Sequence, residues 1–143
     1  MDYAYPALFQ PEPSGGYLVT FPDIPEAITQ GDDLADAKAS ATEVLGLALR
    51  SYLAKDRPLP RPSAAREGYV AVPVDAADAL KLAVIEAFAR TGMSKSEFAR
   101  RLGKGETEAR RILDPDHPSK LAALQAALRL LGKRVVVSVE DAA

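Results

Sequence analysis

Residues 93–113, MSKSEFARRLGKGETEARRIL, constrain the fold more tightly than any other stretch of this chain. Ser94 is a strong helix N-cap, and Glu97 stands three residues later, the spacing of a capping box. Met93 before the cap and Phe98 after it have the spacing of a hydrophobic staple. Phe98, Ala99 and Leu102 share one helical face, and Gly103 supplies the stop. A second amphipathic segment follows at once, predicted to bury Ala109, Ile112 and Leu113 and to leave Thr107, Arg110 and Arg111 outward. Two short helices joined at a glycine, with the small Ala99 four residues ahead of it, can cross closely. That spacing predicts a helix-turn-helix, the unit that holds its second helix out toward a DNA major groove.

Charge divides the chain around the same region. Residues 1–89 hold 7 Lys/Arg against 13 Asp/Glu, a net of −6, whereas residues 90–143 hold 11 against 7, a net of +4. The overall −2 therefore hides an acidic head and a basic tail with different partners, and nucleic acid favours the tail.

The head begins with alternation. Tyr3, Tyr5, Ala7 and Phe9 fall on one face, as do Tyr17, Val19 and Phe21, with the turn Pro11 to Gly16 between them, which predicts a β-hairpin. Pro22 to Pro25 breaks the second strand, and Ala27 to Gln30 forms a third. Asp33 then caps a long helix over about 34–55, with Ala37, Ala41, Val44, Leu45, Ala48, Leu49 and Tyr52 at helical spacing. Three prolines in residues 57–63 make an extended connector. The alternating run 68–74 is expected to return to the sheet near an edge because of Pro73.

The tail continues with a helix capped at Asp75, with Asp78 three residues on and a buried stripe of Leu80, Val84, Ala87 and Phe88. After the helix pair comes the rigid loop 114–118, then a helix capped by Ser119 with Leu121, Leu124, Leu128 and Leu131 inward and Gly132 as its end. Residues 134–139, RVVVSV, read as a strand with no partner in their own domain. The fold class is α+β: a sheet-plus-helix domain over 1–74, including the connector, and a helical domain over 75–143 with a C-terminal strand.

Several chemistries fall away. The chain has no cysteine, so it has neither disulfides nor thiolate metal sites, and the lone His117 cannot build a zinc site or a triad by itself. His117 is read as a solvated loop residue. Asp23, Glu26, Asp32, Asp33 and Asp36 invite a two-metal nuclease reading, but Asp23 lies in a proline turn and Asp33 and Asp36 serve a helix start. No catalytic residue, metal or cofactor is expected. The first twenty residues carry no basic-then-apolar leader pattern, and no apolar run is long enough to span a bilayer, so a cytoplasmic protein is expected.

Residues 16–49, GYLVTFPDIPEAITQGDDLADAKASATEVLGLAL, resemble the core motif of HicB-type antitoxins. Phe21, Pro22, Asp23, Ile24 and Pro25, then Thr29, Gly31 and Asp32, match that pattern. Glu26-Ala27 departs from it, since many members carry Gly-Cys there. The C-terminal part resembles the helix-turn-helix of the Cro/C1 repressor class. The resemblance implies a partial ribonuclease-H-like N-terminal fold. It implies a protein that neutralises a small, basic, mRNA-cleaving HicA-type toxin and represses its own operon. Tyr17, Asp23, Glu26 and Asp32 are then candidate toxin contacts. Lys104, Thr107, Arg110, Arg111, Ser119 and Lys120 are candidate contacts to double-stranded operator DNA. Glu106 and Glu108 are read as dipole-favoured acids at a helix start. A homodimer or higher oligomer is expected, joined through residues 135–139. A stand-alone repressor with a ligand-sensing N-terminal domain remains the alternative.

Overall fold

A computed structural model of the chain describes residues 2–142. The elements run β1 (Ala4–Pro11), β2 (Tyr17–Thr20), β3 (Ile28–Gly31), α1 (Leu34–Ala54), β4 (Val70–Pro73), α2 (Ala76–Thr91), α3 (Lys95–Leu102), α4 (Glu106–Ile112) and α5 (Leu121–Leu130). The chain divides into two compact units, residues 1–79 and 80–143, and the division falls inside α2. The class is the expected α+β.

Unit 1 is a four-stranded antiparallel sheet in the order β3-β2-β1-β4, with α1 against it. β1 divides its pairing along its length: Ala4 to Ala7 face β4, whereas Leu8 to Pro11 face β2. Pro6, which has no N–H to give, sits in the stretch where β2 has already departed. Tyr5, Ala7, Val19 and Val72 are buried, and so are Ala37, Ala41, Leu45 and Leu49 of α1. The N-cap reading holds, for the Asp33 carboxylate accepts from the Asp36 N–H. β4 takes the edge, with Pro73 as its last residue.

The Phe-Pro-Asp-Ile-Pro stretch is two successive turns, closed by Ile24 N–H to Phe21 O at 3.1 Å and Ala27 N–H to Ile24 O at 3.0 Å. Pro22 and Pro25 each sit where a turn wants a fixed φ. The three-residue repeat buries Phe21, Ile24 and Ala27 and leaves Pro22, Pro25 and Glu26 outside.

Unit 2 gathers Val84, Phe98, Ala99, Ala109, Ile112, Leu113, Leu124, Ala127 and Leu128 into one apolar cluster. Three readings of the tail are corrected. Leu121 is 58 % exposed, and the buried face of α5 is Leu124, Ala127 and Leu128. Leu80 and Phe88 are only partly buried, whereas Lys81 and Leu82 of α2 are buried. No strand forms over 133–142. A strand exists through its ladder bonds, and unit 2 offers this segment no edge. Val136, Val137 and Val139 are accordingly exposed.

Candidate functional site

The turn between α3 and α4 is the best-defined feature of unit 2. Ser94 Oγ accepts from Glu97 N–H at 3.1 Å, which starts α3. The Glu97 carboxylate does not reach back to the cap; it pairs with Arg101 at 2.9 Å and Arg100 at 3.7 Å. Met93 and Phe98 join the same cluster, as a staple requires. Gly103 ends α3 with φ 69°, a left-handed conformation that a side chain resists. Its N–H bonds to Arg100 O, and Lys104 N–H bonds to Ala99 O, the paired closure of a Schellman end. Gly105 then opens α4, which buries Ala109 and Ile112, with Leu113 behind them.

Thr107, Arg110 and Arg111 are exposed on α4, and Lys104 is half-buried in the turn before it. Each acid at the start of α4 also holds a base one turn away: Glu108 with Lys104 at 3.2 Å, and Glu106 with Arg110 at 3.7 Å. Ser96 adds a hydrogen bond to Glu106 at 2.6 Å. Exposed pairs of this kind contribute little stability and are easily exchanged. Both are i,i+4 pairs, so the Lys104 and Arg110 side chains run along α4.

Ser119 and Lys120 lie where α5 starts. Lys120, not Ser119, is the N-cap residue, and no side chain caps there. Ser119 Oγ is engaged elsewhere, accepting from the Lys81 ammonium at 2.7 Å. Lys81 was missed by the sequence reading, although a lone lysine at helical spacing with Val84 and Phe88 was a readable signal. It also donates to Arg111 O and Ile112 O, each at 3.0 Å. His117 is half-buried in the loop after α4.

In unit 1 the four candidate partner contacts fall at two ends of one hairpin. Tyr17 opens β2 opposite Gly31, and Asp32 follows, exposed. Asp23 and Glu26 sit in the double turn at the far end, about 10 Å along β2. Both carboxylates have work inside the unit. Asp23 accepts from Ser63 N–H at 2.8 Å and from the Ser63 hydroxyl. Glu26 accepts from the Tyr52 hydroxyl at 2.7 Å, which holds its carboxyl below the usual carboxylate range and pushes the Tyr52 phenol up. The Arg57 guanidinium lies over the Tyr52 ring at 4.1 Å. Tyr5 hydroxyl donates to Pro60 O at 2.6 Å, and Leu59 is buried. The proline connector is therefore a strap laced to unit 1 rather than a loose tether. Asp56 starts it from a left-handed backbone with φ 54° at the end of α1.

Divided at the structural boundary, residues 1–79 hold 6 Lys/Arg against 12 Asp/Glu, a net of −6, and residues 80–143 hold 12 against 8, a net of +4. Among the described residues no cluster of three or more His, Asp or Glu converges as metal ligands would. No helix among them is long and apolar enough to cross a membrane.

A family model described as the HicB-like antitoxin of bacterial toxin–antitoxin systems matches residues 4–83, and with them the sheet, the double turn and α1. The chain belongs to the HicB-like antitoxin family. The Antitoxin HicB of Escherichia coli (strain K12) is 37% identical over 133 residues, covering 92% of this chain and 95% of that one. Antitoxin HicB 1 of Photorhabdus laumondii subsp. laumondii is 34% identical over 136 residues, covering 95% and 86%. The Antitoxin HicB of Pseudomonas fluorescens (strain Pf0-1) is 33% identical over 132 residues, covering 92% and 90%. At such coverage the likeness to these antitoxins extends through unit 2 as well as unit 1. Membership places the chain among the antitoxins of bacterial toxin–antitoxin systems.

Proposed function

We propose that this antitoxin works by binding at two places, without catalysis of its own. Unit 1 masks a small basic HicA-type ribonuclease toxin, and unit 2 holds the operator of its own operon as a helix-turn-helix. The observation that carries the second half is the α3–turn–α4 geometry, which buries one face of α4 and turns Thr107, Arg110 and Arg111 outward. Lys104, Ser119 and Lys120 flank that face as phosphate contacts. The net −6 of unit 1 supports the first half, since it attracts a basic partner and repels nucleic acid. Tyr17 and Asp32 are the better toxin contacts of the four, because Asp23 and Glu26 already hold the strap and α1. The protein works in the cytoplasm, where both toxin and operator are found.

Co-purification with the product of the neighbouring gene tests the first half, and a mobility shift of the upstream duplex tests the second. The variant Arg110→Ala/Arg111→Ala should weaken the shift and reduce the magnitude of its salt slope by about 1 for each phosphate left without its arginine. Toxin capture should be unchanged. A double variant that kept DNA and lost the toxin would reverse the assignment of units.

A single small module binds weakly, so the active species is a homodimer reading half-sites about 34 Å apart. Val136, Val137 and Val139, unpaired in one chain, gain a ladder by pairing across a two-fold, which also covers an adhesive edge. Truncation after Lys133 should leave a monomer by light scattering and weaken operator binding. An unchanged dimer would assign the interface elsewhere.

A further inference from the structure

Lys81 is the only buried charged side chain among the described residues, at 4 % exposure. An ammonium has three hydrogens to donate, and here three acceptors take them: Arg111 O, Ile112 O and Ser119 Oγ. The two carbonyls stand at the carboxyl end of α4, where the helix ladder runs out and the dipole is negative. A cation from α2 placed there fixes the end of the helix that carries Arg110 and Arg111.

The third bond has a different consequence. A serine hydroxyl owns one proton, and an oxygen that accepts from an ammonium must send that proton elsewhere. Ser119 stands beside Lys120 at the start of α5, where an anion is favoured. A hydroxyl polarised by a cation at its oxygen is also a better donor. We propose that Lys81 is a positioning residue for DNA binding, clamping the end of α4 and turning the Ser119 proton outward to a DNA phosphate. This rests on the operator-binding reading of unit 2.

Burial lowers Lys81 to about 8, against the opposing pull of Asp114 on the loop after α4. Once neutral, the amine has two hydrogens and a lone pair. It can then hold the two carbonyls but not Ser119 as an acceptor, and the Ser119 proton turns inward to the lone pair. Operator affinity should therefore fall as pH rises through about 8. Folding stability should move the other way. The unfolded lysine keeps its ordinary 10.5, so between about 8 and 10.5 the unfolded chain binds more protons and the folded state gains as pH rises. Opposite slopes separate a positioning role from a merely structural one.

The test is fluorescence anisotropy of the full-length protein on a labelled duplex from upstream of its own gene, at constant ionic strength on both sides of pH 8. Wild type should lose about tenfold in affinity across that range, and Lys81→Met should be weaker by about tenfold at neutral pH. The Lys81→Met profile should be flat in pH, with an unchanged salt slope because no phosphate loses a cation. Adding Ser119→Ala to Lys81→Met should weaken binding no further. A folded Lys81→Met with wild-type affinity, or additive losses in the pair, overturns the proposal. Should Lys81→Met fail to fold, Ser119→Ala decides: a flat pH profile supports the proposal, and a wild-type profile overturns it. A wild type that does not bind the duplex removes the operator reading and this inference together, whereas variants that fail against a binding wild type remove this inference alone.

Discussion

Gly31→Ala should unfold unit 1 and abolish toxin capture, although it adds a single methyl group. Gly31 ends β3 opposite Tyr17 and is buried. A Cβ built on it would lie 2.3 Å from the backbone nitrogen of Ala37, 2.5 Å from its Cα and 2.8 Å from the carbonyl carbon of Asp36. These are backbone atoms in the first turn of α1, so no rotamer change relieves the clash. The sheet and the helix must move apart, and the apolar layer between them opens. Overpacking against side chains costs about 1–3 kcal/mol, and a backbone obstacle places this variant at the upper end or beyond. The same shift would strain the Asp33 cap and the Asp32 N–H to Asp36 hydrogen bond at 2.8 Å. Urea denaturation followed by a probe in unit 1 reads the loss, and pull-down with the toxin reads its consequence. A wild-type unfolding midpoint would show that β3 and α1 tolerate separation there.

The parts of this fold that were legible in the sequence are those with local causes. Ser94, Gly103 and the spacing of Ala109, Ile112 and Leu113 announce α3, its end and the buried face of α4, because capping, left-handed backbone and helical period act within a few residues. The alternation in β1 and β2 works the same way. What stayed hidden depends on partners far along the chain. Asp23 in its proline turn has a sufficient local reason to be there, and nothing nearby announces Ser63, 40 residues on. Ser119 looks like an N-cap until Lys81, 38 residues earlier, takes its oxygen. Leu121 matches the period of its helix, but period alone does not say where the core ends. The run 134–139 has the composition of a strand, yet strands need an edge, and the edge is not in this unit.

Phe98→Ala should give the mirror-image phenotype of Gly31→Ala. Phe98 is fully buried, and its ring meets that of Phe88 at 5.2 Å with a 59° tilt. It belongs to the cluster that also holds Val84, residues of α4 and residues of α5, so one side chain joins most of unit 2. Removing a buried phenylalanine costs about 3–5 kcal/mol, of which the tilted contact with Phe88 is about 0.5–1.5 kcal/mol. A core built from residues 80–143 alone has only about 3–5 kcal/mol to lose. Unit 2 should therefore be largely unfolded, with its helical circular dichroism reduced and operator binding gone at every salt concentration. Unit 1 keeps its own sheet, its own helix and its laced strap, so toxin capture should survive. The crossed pattern matters more than either variant alone. If Phe98→Ala lost toxin as completely as DNA, the two binding functions would not reside in separately folded units, and the split of charge between them would need another explanation.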